Sequence, residues 1–377
     1  MTTTSPRPRI AMLAGRATAA GTARYGARVA AKLASDFLRP LSRDGVLVSS
    51  IGLGSYLGEC DEADDIRYAD TAHHAIATGI NFLDTAINYR CQRSERAFAK
   101  AVSRAVRMET ASRDEIVVCT KGGYVPLDGT QPSSREEYQE YVKREYLDRG
   151  IVSAEEIVAG GHCVAPAFLA DQIARSRVNL GVETIDLYYL HNPEQQLDAI
   201  DEAELQLRLR SAFELLEERC AAGDIGGYGC ATWNGLRTPP GERGHLSLAM
   251  LVKTARDVAG ADHHFQAVQL PVNLALSEAV RTPTQRIDDR PLTVLEAASE
   301  LGVAVVASAT LLQAKLASKL PQQMREALPG FSSDAQRAIA FVRGLPVIAS
   351  ALVGMRSAGH IRENLGAARA THSPPGA

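Results

Sequence analysis

Four residues of complementary acid–base character stand just past three strand-like runs. Asp84 and Tyr89 follow Phe82-Leu83, Lys121 follows Val117-Val118-Cys119-Thr120, and His191 follows Tyr188-Tyr189-Leu190. A carboxylate, a phenol, an amine and an imidazole can together move one proton. Beside Lys121 the Tyr89 hydroxyl is expected to ionise more readily than a free phenol, whose pKa is near ~10. Asp84 is expected to hold the ammonium and offset its burial, and His191 to orient a carbonyl oxygen or assist its protonation. Taken singly, each has a plainer use. Asp84 caps a turn, Lys121 is a solvated strand end, His191 is a loop residue before Asn192-Pro193, and Tyr89 is a packed phenol beside Arg90. The chemistry requires that three strand ends share one pocket.

The elements that would bring them together are regular. Strand-like runs fall at 50–54, 81–84, 116–120, 185–190, 227–231, 265–269, 303–308 and 346–353, with helical patterns between them. Phe98, Val102 and Ala105 follow a Ser94 cap, and Leu205, Leu209, Phe213 and Leu216 run up to a stop at Gly223. Pro166 and Pro291 each read as a helix start, and later helices are expected near 246–258, 334–343 and 357–370. Such alternation predicts a parallel sheet wrapped by helices, and eight units in a chain of this length predict an α/β fold of the (β/α)8 TIM barrel type. The barrel is placed at 46–370, an amino-terminal extension at 1–45, and a disordered tail at 371–377. Within the extension, Tyr25, Val29, Leu33 and Phe37 recur every four residues and predict a docked helix, with residues 1–20 frayed. Long connections at 122–165, 192–204 and 233–245 each follow a strand, on the face where barrel active sites collect. The first is expected to hold a helix at 134–146, whose Tyr138, Tyr141 and Tyr146 either line a pocket or pack. Gly52, Gly54 and Gly58 superficially resemble a dinucleotide fingerprint, but Glu59, Asp61, Glu62, Asp64 and Asp65 follow at once and would repel a pyrophosphate. These glycines are read as a tight barrel turn.

Composition narrows the function. The 377 residues are 45% apolar and 23% charged, which excludes wholesale disorder. With 41 basic and 44 acidic side chains the net charge is −3, giving no global reason to bind nucleic acid. Residues 1–50 carry eight basic side chains against Asp36 and Asp44, but the apolar face there is too short to predict membrane binding, and no run reaches the ~18 apolar residues of a membrane span. Six cysteines without a CxxC pair suit reduced thiols and a cytoplasmic location. His73-His74 and Asp262-His263-His264 do not form a metal site by themselves, because adjacent side chains diverge, and no metal is expected.

The sequence resembles the aldo-keto reductase superfamily. The resemblance rests on Asp84-Thr85-Ala86-Ile87-Asn88-Tyr89, on Ser94-Glu95, on Thr120-Lys121 and on Asp186-Leu187-Tyr188-Tyr189-Leu190-His191. It implies hydride transfer between a nicotinamide cofactor and the carbonyl of a small or medium organic molecule, such as a sugar or a secondary metabolite. Tyr89 would be the general acid or base, Asp84 and Lys121 would tune it, and His191 would align the substrate. The resemblance also places Thr232, Gln269, Ser308 and Leu311 near the nicotinamide, although Ala231-Thr232 replaces the usual Ser-Asn pair and Ser308 stands where a stacking tyrosine is common. Gly354, Met355, Arg356, His360, Glu363 and Asn364 would hold the adenosine-phosphate end. Arg356 favours NADP(H), with NAD(H) as the other candidate. Tyr56, Tyr124 and Trp233 are assigned to the substrate pocket. Two other functions compete: a Schiff-base lyase using Lys121, and a non-catalytic cofactor-sensing interaction barrel.

Overall fold

The computed structural model describes residues 12–41 and 43–369. The eight apolar runs form β1 (Ile51–Gly54), β2 (Phe82–Asp84), β3 (Val117–Gly122), β4 (Leu187–His191), β5 (Tyr228–Ala231), β6 (Phe265–Pro271), β7 (Ala304–Ser308) and β8 (Ile348–Gly354). They close into a barrel in chain order, every neighbour parallel. Each strand leads to a helix: α1 (Glu62–Thr78), α2 (Arg93–Arg107), α3 (Pro166–Leu180), α4 (Glu202–Ala221), α5 (Leu248–Ala259), α6 (Val294–Leu301), α7 (Asp334–Gly344) and α8 (Ala358–Asn364). The strands are apolar on both faces because both are covered. Leu53, Leu83, Val118 and Tyr188 point outward to the helices, while Phe82, Val117, Cys119, Leu187 and Tyr189 fill the barrel. On this two-residue period Asp84, Lys121 and His191 fall inward, at the carboxyl ends of β2, β3 and β4.

Helix ends follow local rules with two exceptions. Asp61 caps α1 by accepting from Asp64 N, Pro166 is the first residue of α3, and α4 stops just before Gly223. Ser94, expected as a cap, lies inside the first turn of α2, where its hydroxyl donates to Ser55 O at 2.9 Å. Pro291 does not start a helix. It sits in a small antiparallel hairpin, and α6 begins after a Thr293–Glu296 capping box. Of the three glycines near β1, only Gly58 makes a turn, at φ +122°; Gly52 packs inside the barrel, where a Cβ would meet Leu352 and Phe82 at 2.7 Å.

The amino-terminal helix runs Ala19–Val29, and Tyr25 is buried with its hydroxyl donating to Ile76 O at 2.6 Å. Leu33 and Phe37 lie beyond it, so the four-residue spacing outlasts the helix. The expectation of fraying through residue 20 fails for residues 12–20: Leu13 pairs with Val182, and Ala17 N donates to Asp186 Oδ1 at 2.6 Å. Residues 1–11 and the tail at 371–377 lie outside the described residues. Ala17 joins Leu41, Val46 and Val48, from an antiparallel hairpin (Leu38–Pro40 with Leu47–Ser49), in the same apolar cluster as the barrel interior. Together they stop the amino-terminal end of the barrel. The β3–α3 connection carries a helix (Arg135–Val142) that widens into a π turn to Leu147. Its tyrosines hold the lobe together: Tyr138 and Tyr141 donate to Gly160 O and Pro126 O, and Tyr146 packs on Phe168.

Candidate active site

Strand register brings the predicted residues to one rim. Asp84 is opposite Cys119, Lys121 opposite Tyr189, His191 opposite Ala231, and Ala231 opposite Gln269. Lys121 Nζ donates to Asp84 Oδ1 at 2.5 Å and to Thr85 O at 2.8 Å, and Gln269 Nε2 donates to Asp84 Oδ2 at 2.8 Å. Lys121 is 1% exposed and Asp84 3%, so water screens the pair little. Burial alone would push the Lys121 ammonium down, but Asp84 and then Tyr89 outweigh it and hold it above its ordinary value.

Tyr89 is set by the chain that follows β2. Thr85 N and Ile87 N continue the ladder onto Cys119 O and Lys121 O, and Tyr89 N closes a turn onto Ala86 O at 3.0 Å. Lys121 Nζ lies 4.9 Å from the centre of the phenol ring, with the rings of Tyr56 at 5.1 Å and His191 at 5.7 Å. The expectation of a readily ionised phenol is corrected. Burial raises the Tyr89 pKa above its ordinary value, and the pull of Lys121 only partly offsets it. At neutral pH Tyr89 therefore carries its proton.

His191 is neutral as well. Burial, then Lys121 and His162, hold it well below its usual range, and its Nδ1 is buried without a partner. The residue that fixes its backbone lies in no recognisable motif. His162, from the long β3–α3 connection, places Nε2 at 2.8 Å from His191 O, and Gln196 Nε2 lies 2.7 Å from His162 Nδ1. The consistent tautomer has Nε2–H donating and Nδ1 accepting. Arg208 in turn donates to Gln196 Oε1 at 2.8 Å. Gly123, at φ +143°, allows this approach, since a Cβ there would stand 3.0 Å from His191 O. Two glutamates tie neighbouring elements together. Glu95 accepts from Thr120 and Asn179, tying β3 to α2 and α3, and Glu194 accepts from the N–H groups of Trp233, Asn234 and Gly235 at 2.7, 3.1 and 3.2 Å.

Of the three residues expected to line a pocket, Tyr56 and Tyr124 stand beside this centre. Tyr124 stands edge-on to His191 at 5.0 Å, with its hydroxyl donating to Gln195 and accepting from Asn192. Tyr56 is 59% and Trp233 47% exposed, so the indole is not buried under the following loop. Thr232 N donates to Gln269 O, and its hydroxyl is buried with no partner. Ser308 ends β7, and Leu311 is partly buried against the core. Around β8 and α8 the assigned residues are less uniform. Gly354 pairs with Gly54, and a Cβ at either would meet open space. Met355 and Asn364 are buried, so Met355 offers a ligand only its backbone, whereas His360 and Glu363 are exposed. Arg356 is not a free cation, because Nη2 meets Asp64 Oδ1 at 2.6 Å. Burial works to raise Asp64, but Glu59 N–H, Arg356 and Arg67 together hold it below the ordinary carboxylate range.

Among the described residues no group of three or more His, Cys, Asp or Glu could hold a metal, and no helix is long and apolar enough to cross a membrane. The geometry gathers Asp84, Tyr89, Lys121 and His191 at one rim of a closed parallel barrel. Residues 50–238 match the model of the Aldo/keto reductase family, and the chain belongs to that family, whose members are oxidoreductases. It is 30% identical over 190 residues to a D-threo-aldose 1-dehydrogenase of a Pseudomonas species, covering 49% of this chain and 50% of that protein. It is also 26% identical over 306 residues to an aldo-keto reductase of Strobilurus tenacellus, covering 76% and 68%. The chain thus spans about half the length of the first relative. In fold it resembles the holo form of an aldo-keto reductase from Bacillus halodurans, with TM-score 0.59, 21% identity and coverage of 89% and 91%. A Klebsiella pneumoniae aldo/keto reductase in complex with NADP and acetate gives 0.57, 19%, and 89% and 90%.

Proposed function

We propose that this protein is an NADP(H)-dependent oxidoreductase that reduces a carbonyl of a small or medium organic molecule, a sugar or a secondary metabolite, to an alcohol, or runs the reverse. The observation that carries this reading is the buried Lys121–Asp84 pair beside a protonated Tyr89, with a neutral imidazole at its other side. His191 donates a hydrogen bond to the carbonyl oxygen and orients it, a role open to a neutral ring. Tyr89 gives its proton to that oxygen as negative charge develops there. Lys121 stabilises the phenolate left behind, and Asp84 keeps the ammonium in place and balances it. In the reverse direction Tyr89 phenolate takes the alcohol proton. When bound, a reduced nicotinamide supplies the hydride.

The residues present fit such a cofactor. The Thr232 hydroxyl, buried without a partner, and Gln269 suit a carboxamide. The open backbone at Gly54 and Gly354 leaves room for close approach. Ser308 and Leu311 would flank the ring, and Gly354, Met355 through its backbone, Arg356, His360, Glu363 and Asn364 would hold the distal end. Arg356 suits the extra phosphate of NADP(H). Its engagement with Asp64 makes the phosphate share the guanidinium, which keeps NAD(H) in contention.

The Schiff-base alternative is disfavoured, because an ammonium held charged by Asp84 lacks the free lone pair that attacks a carbonyl. Borohydride with a carbonyl substrate should leave Lys121 unmodified. The direct test is NADPH oxidation followed by absorbance across sugars, ketones and aldehydes, with NADH as the paired control. Tyr89→Phe should keep the fold and NADPH binding while lowering reduction by orders of magnitude. Wild-type turnover in that variant would refute the acid assignment, and tight NADPH binding without turnover on any carbonyl would favour the cofactor-sensing barrel.

A further inference from the structure

The thiols of Cys60 and Cys91 lie 3.3 Å apart, both free. They come from different connections on the open face of the barrel. Cys60 lies between β1 and α1, four residues past Tyr56, and Cys91 is two residues past Tyr89. Cys91 is buried and Cys60 partly exposed.

The backbone around both is already docked. Arg90, Cys91 and Gln92 adopt φ of 49°, 54° and 66°, a left-handed turn that non-glycine residues enter at a cost of about 1 kcal/mol or more each. Such a turn persists only where its surroundings over-determine it. Arg90 does so from the Cys60 side: Nε donates to Glu59 O at 2.7 Å, Nη2 to Asp61 O at 3.2 Å, and the same guanidinium pairs with Asp65 at 2.7 Å. Residues on both sides of Cys60 are thus fastened to the residue before Cys91. Closing the sulfurs to the ~2.05 Å of a disulfide needs a shift of about an ångström, not a rearrangement of either loop.

We propose that Cys60 and Cys91 form an oxidisable dithiol that closes to a disulfide under hydrogen peroxide and fastens the loop bearing Tyr56 to the turn that follows Tyr89. The accessible Cys60 thiol loses its proton to solvent, and its sulfur attacks one peroxide oxygen. The O–O bond breaks, hydroxide leaves and is protonated to water, and Cys60 becomes a sulfenic acid. Cys91 sulfur then attacks the Cys60 sulfur. The S–S bond forms, the S–O bond breaks, and the departing hydroxide takes the Cys91 proton as a second water. Two thiols are oxidised by two electrons, and one peroxide is reduced to two waters. Burial pushes the Cys91 thiol up to about 12, which keeps it from meeting peroxide first and leaves the more accessible Cys60 as the sulfur that is oxidised.

The test is made on the full chain, treated with hydrogen peroxide, alkylated with N-ethylmaleimide and digested with trypsin without reduction. Cleavage after Arg90 and Arg93 releases Cys91 in a three-residue peptide. The expected result is loss of two of the six thiols and a crosslink between that peptide and the one holding Cys60, reversed by dithiothreitol. Cys60→Ser and Cys91→Ser should each abolish the crosslink and leave reduced-state activity unchanged. The oxidised wild type should melt a few degrees higher than the reduced form, since the bridge closes a loop of about 30 residues. Both thiols still alkylated under excess peroxide, a crosslink to any other cysteine, Cys60 carried to sulfinic acid without a crosslink, or an unchanged melting temperature would each overturn the proposal. The crosslink is read by mass and does not depend on the oxidoreductase reading, so either can fail without the other.

Discussion

Lys121→Met removes the ammonium while keeping most of the side chain's length. Asp84, at 3% exposure, is then left with Gln269 as its side-chain donor. Breaking a buried pair from one side costs about 3–5 kcal/mol, because a charge is left without its counterpart. With an unfolding entropy of about 2.1 cal/mol/K per residue, that loss lowers Tm by about 4–6 °C in a chain of this length. The double variant Asp84→Asn with Lys121→Met leaves no unpaired charge. It should recover about 2 kcal/mol or more relative to Lys121→Met, yet regain no activity, since the phenol still lacks its cation. Urea unfolding of the wild type, both single variants and the double variant gives the coupling energy directly, with NADPH oxidation run in parallel. Single costs that add to the double within about 0.5 kcal/mol would refute the pair as a unit.

Three further outcomes follow from the site. Tyr89→Phe, described above, separates proton donation from binding. His162 is held down to about 4 by burial, so as pH falls from 6.5 to about 4 the unfolded chain takes up a proton that the folded chain refuses. Stability is lost over that window, by about 3 kcal/mol at about 1.4 kcal/mol per pH unit. His162→Gln removes this loss, so its Tm deficit against wild type should shrink between pH 7 and pH 4; a constant deficit would refute it. Arg356→Ala should weaken NADPH more than NADH in fluorescence titration, with equal losses counting against the phosphate role. Because the Arg356 side chain is 42% exposed, its pair with Asp64 should contribute about 1 kcal/mol or less to stability.

The barrel was legible because buried parallel strands are short, apolar on both faces and separated by helices with plain end signals. Val117-Val118-Cys119 is such a run, and the residue two beyond its inward Cys119 is Lys121. The position of each proton-handling residue at a strand end could therefore be read in one dimension. Their partners could not. His162 is one histidine in a 44-residue connection, and nothing in its neighbourhood announces contact with the His191 carbonyl. Asp64 and Arg356 are 292 positions apart, and the acidic run around Asp64 signals repulsion of a pyrophosphate rather than an arginine partner. Ser94 and Pro291 obey local preferences that tertiary contacts override: the Ser94 hydroxyl is taken by Ser55 O, and Pro291 by a hairpin. At Tyr89 the two influences differ in magnitude: the neighbouring Lys121 cation is visible in the sequence, but the stronger effect of desolvation depends on burial that only the folded chain shows.

The side chains that fill the barrel and the cap of Ala17, Leu41, Val46 and Val48 beneath them make one solid plug. A plug has a single working face, so whatever reaches Asp84 or Lys121 must land on that face and leave from it. Truncating the amino-terminal cap would loosen the plug from below without touching the landing ground.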